Sequence, residues 1–88
     1  MKVELLSKFE NDIDKLFNKQ LKHAILNIID NLENANTLSE IQGIKKLKGF
    51  SNAYRIKLGD YRIGFYFEKG IIELARVVHR KDIYRVFP

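Results

Sequence analysis

The chain has 88 residues, no cysteine, one proline, no tryptophan and a formal charge of +5. That length holds one domain with one hydrophobic core, and a 45% hydrophobic share is too high for a disordered tail. Without cysteine there is no disulfide framework, thiolate nucleophile or cysteine-ligated metal, and two histidines without HxxxH spacing argue against a catalytic zinc.

The opening segment, Lys2-Val3-Glu4-Leu5-Leu6, alternates weakly and reads as a short strand. Its acids, and the absence of a cleavage-like tail, argue against a signal peptide. No apolar run is long enough to span a membrane, so a cytoplasmic protein without a membrane partner is expected. Ser7 followed by Glu10 is a capping-box pattern that predicts a helix start. Phe9, Ile13, Leu16 and Phe17 then recur at helical spacing. After a break at Asn18 to Gln20, Leu21, Ala24, Ile25, Ile28, Ile29 and Leu32 form a second apolar stripe. Asn34 to Thr37 has turn composition, and Thr37 with Glu40 predicts one capped helical turn before Gly43.

From Tyr54 onward the period changes to two. Tyr54, Ile56 and Leu58 alternate with Arg55 and Lys57; Gly59-Asp60 interrupts; Tyr61, Ile63, Phe65 and Phe67 alternate with Arg62, Gly64, Tyr66 and Glu68. Lys69-Gly70 interrupts again, and Ile71 to His79 reads as a third strand. The predicted fold is α+β, in the order β-α-α-β-β-β. An N-terminal short strand precedes a helical hairpin packed on one face of a C-terminal antiparallel sheet, and a short C-terminal tail follows.

The charge is not spread evenly. Residues 1–42 carry a net −2 and residues 43–88 a net +7. Such asymmetry points to a polyanion or an acidic partner. A two-residue Gly59-Asp60 loop would pair Leu58 with Tyr61, Lys57 with Arg62, Ile56 with Ile63 and Arg55 with Gly64. Tyr54, Ile56, Leu58, Tyr61, Ile63 and Phe65 would then face the helices. Arg55, Lys57, Arg62 and Tyr66 would line the other face, with Gly64 leaving room among them. A two-residue Lys69-Gly70 loop would add Glu73, Ala75, Val77 and His79 to that second face, set Ala75 beside Gly64 and leave Arg76 in the core unless a bulge intervenes. Like charges opposite one another cost a few tenths to about 1 kcal/mol. An arriving phosphate would relieve the Lys57–Arg62 repulsion and accept charge-assisted hydrogen bonds. His79 or Arg80 would stand at the edge of this face, Tyr84 would fold over it, and Val86 and Phe87 would cover the end of the core.

These residues also resemble a family. Leu47-Lys48-Gly49, Tyr54-Arg55-Ile56-Lys57-Leu58-Gly59-Asp60-Tyr61-Arg62-Ile63 and Val78-His79-Arg80-Lys81-Asp82-Ile83-Tyr84 look like the RelE/ParE toxin superfamily of bacterial type II toxin–antitoxin modules, with residues 1–88 as a single toxin domain. The resemblance implies one of two activities. RelE-like members cleave mRNA on the ribosome without a metal or other cofactor, whereas ParE-like members inhibit DNA gyrase; an inactive antitoxin-binding module is a further alternative. By resemblance to RelE-like members, Arg55, Lys57, Arg62 and Arg80 match site positions, and Lys48 and Lys81 are further RNA-binding candidates. Arg55 stands where the best-known members have Lys, and Tyr84 follows Arg80 more closely than the catalytic Tyr does there. In the expected mechanism Lys57, crowded by Arg55 and Arg62, is the general base. Arg62 and Arg80 hold the phosphate, and His79 or Tyr84 is the general acid. An acidic cognate antitoxin is the implied partner.

Overall fold

The computed structural model describes residues 1–88. Its elements are β1 (Lys2–Leu5), α1 (Ser7–Asp14), α2 (Lys19–Asn34), a 3₁₀ turn (Leu38–Glu40), β2 (Ile44–Lys46), β3 (Ala53–Leu58), β4 (Tyr61–Glu68), β5 (Ile71–His79) and α3 (Ile83–Val86). The strands form one sheet in the order β1-β5-β4-β3-β2. β2 to β5 pair antiparallel, and β1 joins β5 in parallel. The expected α+β order is present, with β2 as an additional strand. Its three residues include two exposed lysines, too short a run to show an alternating period.

Sheet pairing continues one residue past β1, because the Leu6 N–H donates to the Leu74 carbonyl at 3.0 Å. Leu6 is therefore still extended, and Ser7 already lies inside α1. The expected Ser7–Glu10 capping box consequently does not form; Leu6 holds the N-cap position without a side-chain bond. α1 closes at Asp14, so Phe17 falls in the linker and not on the apolar stripe, and it is 95% exposed. Asn18 caps α2 by accepting the Leu21 N–H on its Oδ1 at 3.0 Å. At the far end of α2, the Met1 nitrogen donates to the carbonyls of Leu32, Glu33 and Ala35, fixing the helix against the start of β1.

The helices cover one face of the sheet. Phe9, Ile25 and Leu32 pack on Ile56, Ile63, Phe65, Ile72, Leu74 and Val77, with Tyr54 stacked on Phe65 at 5.3 Å. The β3–β4 register is the expected one, including Lys57 opposite Arg62 and Arg55 opposite Gly64. The Lys69-Gly70 loop also pairs Glu68 with Ile71 as expected.

The expected pairing holds as far as Phe65 with Leu74 and fails beyond it. A bulge opposite the Gly64–Phe65 step pairs Gly64 with Arg76 and not with Ala75. Because the side-chain period of a strand is two, one extra residue exchanges the faces beyond it. Val77 and His79 therefore lie with Ile63 and Tyr61 on the helix side, and Val78 lies with Arg62 on the other. The same bulge takes Arg76 out of the core and into an ion pair with Asp12 of α1.

Part of the second face is apolar. Ala53, Ala75, Ile83 and Phe87 form a smaller core there, flanked by Leu6, Leu47, Tyr66 and Val78. The room left by Gly64 is filled by the chain's own tail. A Cβ at Gly64 would lie 2.5–2.8 Å from the Phe87 ring, closer than packed atoms tolerate. Gly64→Ala is expected to destabilise the fold by about 1–3 kcal/mol, as overpacking does. In a Phe87→Ala background most of that penalty should vanish, and urea denaturation of the double-mutant cycle checks it.

Candidate functional site

The paired ends of β3 and β4 set Lys57 directly opposite Arg62. Lys57 is exposed, and Arg62 is half-buried. Arg62 is anchored by one end of its guanidinium: Nη1 donates to the Gly59 and Tyr61 carbonyls, each at 2.8 Å. Gly59 allows this turn because its φ of +57° lies in the left-handed region. The Nε–Nη2 edge of Arg62 takes no part in the anchor. Arg76 shows what that edge does when a carboxylate meets it, binding Asp12 through Nε at 2.8 Å and Nη2 at 3.0 Å. Arg62 thus offers a fork already oriented for an oxyanion, beside the ammonium of Lys57.

The same turn receives Arg80. Its N–H donates to the Asp60 carbonyl at 2.7 Å, and its Nε lies 3.9 Å from Asp60 Oδ1. Both arginines therefore connect to the three-residue stretch Gly59–Tyr61. Arg55 differs. It is only 9% exposed, and its Nη1 donates to the Gly43 carbonyl, which also accepts the Lys57 N–H at 3.1 Å. This arginine holds the loop ahead of β2 against β3, and its burial argues against the RNA-binding role expected of it.

The two acid candidates separate. His79 sits on the helix side, edge-on to Tyr61 at 5.6 Å, and its Nδ1 accepts the Lys81 N–H at 3.1 Å. The β5 bulge has turned it away from the face of Arg62. Tyr84 is 63% exposed on α3, whose Ile83 packs into the small core of the second face. Lys48, in the loop between β2 and β3, and Lys81, after β5, are both exposed.

Two acids outside the expected site also matter. Asp12 is buried, binds Arg76 in a bidentate pair and accepts the Val77 N–H at 3.0 Å. The hydrogen bond to Asp12 is the main cause that raises the Arg76 pKa. Asp12 was legible as an acid inside the Phe9–Ile13–Leu16 stripe, and Arg76 as a cation in an apolar strand. Two charges misplaced in opposite senses were the signal of a pair.

Glu40 accepts the N–H groups of Asn36 and Thr37 on Oε2 at 2.8 and 2.7 Å, as the predicted capped turn requires. The bond to Thr37, then that to Asn36, holds its carboxyl below the ordinary value of 4.5. Because the folded value is the lower one, the stabilisation is complete above 4.5 and is lost as pH falls through the folded value. Amide protection factors at Asn36 and Thr37 should therefore fall on acidification below pH 4.5 in the wild type and be low at all pH values in Glu40→Ala.

A helical pair packed on one face of the sheet is the fold this chain shares with solved RelE toxins. The chain belongs to the ParE toxin family of type II toxin–antitoxin systems, whose model matches residues 3–84. It is 44% identical over 82 residues to the toxin RelE3 of Methanocaldococcus jannaschii, an alignment covering 84% of this chain and 93% of the relative. It is similar to a chain in the crystal structure of the RelB–RelE antitoxin–toxin complex from Methanococcus jannaschii, with a TM-score of 0.82 and 36% identity, over 97% of this chain and 99% of that one. The RelE–RelB complex from Pyrococcus horikoshii OT3 shares the fold at a TM-score of 0.73 and 23% identity, over 93% and 97% of the two chains. No helix is long and apolar enough to cross a membrane.

Proposed function

We propose that this protein is the toxin of a type II module and that it cleaves mRNA on the ribosome. The observation that carries the reading is Arg62, pinned by Nη1 with its bidentate edge unspent beside Lys57. RNA brings its own nucleophile, so the protein needs to supply position, charge and proton transfer. Lys57 serves as the general base that takes the 2′-hydroxyl proton. The 2′-oxygen bonds to phosphorus and the bond from phosphorus to the 5′-oxygen breaks. Arg62 and Arg80 hold the non-bridging oxygens as charge develops. Tyr84 delivers a proton to the departing 5′-oxygen, leaving a 2′,3′-cyclic phosphate and a 5′-hydroxyl. His79 is not needed, because it faces the helices. The 44% identical relative is a RelE toxin, which supports this branch of the superfamily.

A second reading draws on the family model, which is that of a ParE toxin. In it the chain inhibits DNA gyrase through protein contacts, and Lys57 and Arg62 are surface charges. Translating ribosomes and a supercoiling assay, run side by side with the purified protein, separate the two. Cleaved message with unaffected gyrase is expected; inhibited gyrase with intact message overturns the proposal. Under either reading the partner is an acidic antitoxin, in keeping with the RelB–RelE complexes that share the fold.

A further inference from the structure

Arg62 and Arg80 are held in different ways. Arg62 is fixed by its own guanidinium. The Arg80 side chain is 59% exposed, and the carboxylate beside it, that of Asp60, stands 3.9 Å away and is itself 72% exposed. An ion pair that long and that open to water does little to orient a side chain. What aims Arg80 is therefore its backbone.

That backbone is closed around Arg80 by one residue. The β4–β5 ladder ends at the Tyr61–His79 pair, and the Arg80 N–H extends it by donating to the Asp60 carbonyl at 2.7 Å. The next two N–H groups both return to His79. Lys81 donates to the ring Nδ1 at 3.1 Å, and Asp82 donates to the main-chain carbonyl at 2.8 Å. The ring is half-buried and lies edge-on to Tyr61. It lines a cleft of about 220 Å³ together with Asp12 and Lys15 of α1, Tyr61 of β4 and Asp82. Asp12 is committed to Arg76 and Val77, and Asp82 to Arg85, so the Lys81 N–H is the ring's one hydrogen-bond partner.

We infer that His79 is a positioning residue for Arg80: its neutral ring fixes the turn that presents the Arg80 guanidinium to the phosphate, and protonation of the ring releases that turn. The role rests on the RNA-cleaving reading, in which Arg80 holds a phosphate oxygen, and His79 itself touches no substrate. One nitrogen carries the effect. Nδ1 accepts the Lys81 N–H only while it bears no proton of its own. An imidazolium has a proton on both nitrogens and no acceptor, so the Lys81 N–H then faces another N–H. The Asp82 bond to the His79 carbonyl survives protonation. The turn therefore loosens at Arg80 and Lys81 while β5 stays paired.

Two variants separate the packing of the ring from its acceptor. His79→Phe keeps an aromatic ring against Tyr61 and has no acceptor. His79→Asn loses the ring, offers Oδ1 close to the place of Nδ1 and does not titrate. NMR of the whole protein follows the Lys81 amide and the Arg80 Nε–H, with inorganic phosphate as the probe. In the wild type, Lys81 protection is expected to fall on acidification with the same midpoint as the carbon-bound protons of the His79 ring. In His79→Phe that protection should be low at every pH. The phosphate response at Arg80 should be lost there and the one at Arg62 kept, and kcat/KM for mRNA cleavage should fall roughly tenfold or more. His79→Asn should protect Lys81 at every pH and restore both the Arg80 response and most of the cleavage. Lys81 protection indifferent to the titration of the ring, or a wild-type Arg80 response in His79→Phe, overturns the inference. The wild-type titration needs no substitution, so it decides the matter even where a variant fails to fold. The two readings fail separately. An Arg80 response lost in His79→Phe and regained in His79→Asn, with mRNA intact throughout, upholds the positioning role and removes the nuclease. Cleavage by His79→Phe at the wild-type rate does the reverse.

Discussion

Replacing Arg62 with alanine is expected to lower mRNA cleavage on translating ribosomes by at least about a hundredfold, the loss seen when one preorganised donor to a developing oxyanion is removed. The reason is geometric. Gly59 and Tyr61 hold Nη1, so the ordering of the side chain is completed before substrate arrives, and the Nε–Nη2 edge meets the phosphate with little further rearrangement. Arg62→Lys keeps the charge but loses both the anchor and the fork, and should recover only a small part of the activity. The fold should survive, because losing a hydrogen-bonding side chain at a half-buried position costs about 1 kcal/mol. A thermal melt beside the cleavage assay separates the two effects. Wild-type cleavage in a folded Arg62→Ala protein would remove this arginine from the mechanism.

The largest stability effect is expected at Asp12. Asp12→Ala leaves the Arg76 guanidinium without its bidentate partner and the Val77 N–H without its acceptor. Breaking a buried pair on one side costs about 3–5 kcal/mol, and Arg76 keeps a side-chain exposure of 20%, which places this case near the lower end. That is a large share of the roughly 5–15 kcal/mol that stabilises a small domain. β1 ends at Leu5, so α1 and not another strand covers the upper edge of β5. Asp12 supplies there the acceptor that a neighbouring strand would have supplied. Its loss should also loosen the bulge that decides which side chains of β5 face Arg62. Urea denaturation of Asp12→Ala, Arg76→Ala and the double variant tests the account. The double variant should be less destabilised than the two single losses added together, and additive losses would show that the pair is not coupled.

The strands were the most legible part of the chain. The Gly59-Asp60 interruption between two alternating runs fixed the β3–β4 register and with it the Lys57–Arg62 juxtaposition. Alternation failed where its premise did. It counts residues in twos, and the bulge beside Ala75 adds one, so Val77 and His79 were assigned to the wrong face. The misplaced Arg76 was the local sign of the error. Gly64 was read correctly as space, but a linear pattern cannot say what fills a space, and Phe87 from the distant tail does. Arg55 and Lys57 alternate alike with apolar neighbours, yet one is buried and the other exposed. The difference comes from Gly43, whose carbonyl reaches Arg55 only because β2 pairs where no strand was expected.

The central claim is that the substrate's own 2′-hydroxyl is the nucleophile and the protein's cations stabilise its attack. The most direct measurement is a reporter mRNA carrying a single 2′-deoxynucleotide at a mapped cleavage position, translated in the presence of the purified toxin and analysed by primer extension. The expected result is cleavage at every other mapped position, with 2′,3′-cyclic phosphate ends, and none at the deoxy position. Undiminished cleavage at the deoxy position, or an intact message throughout, would contradict it.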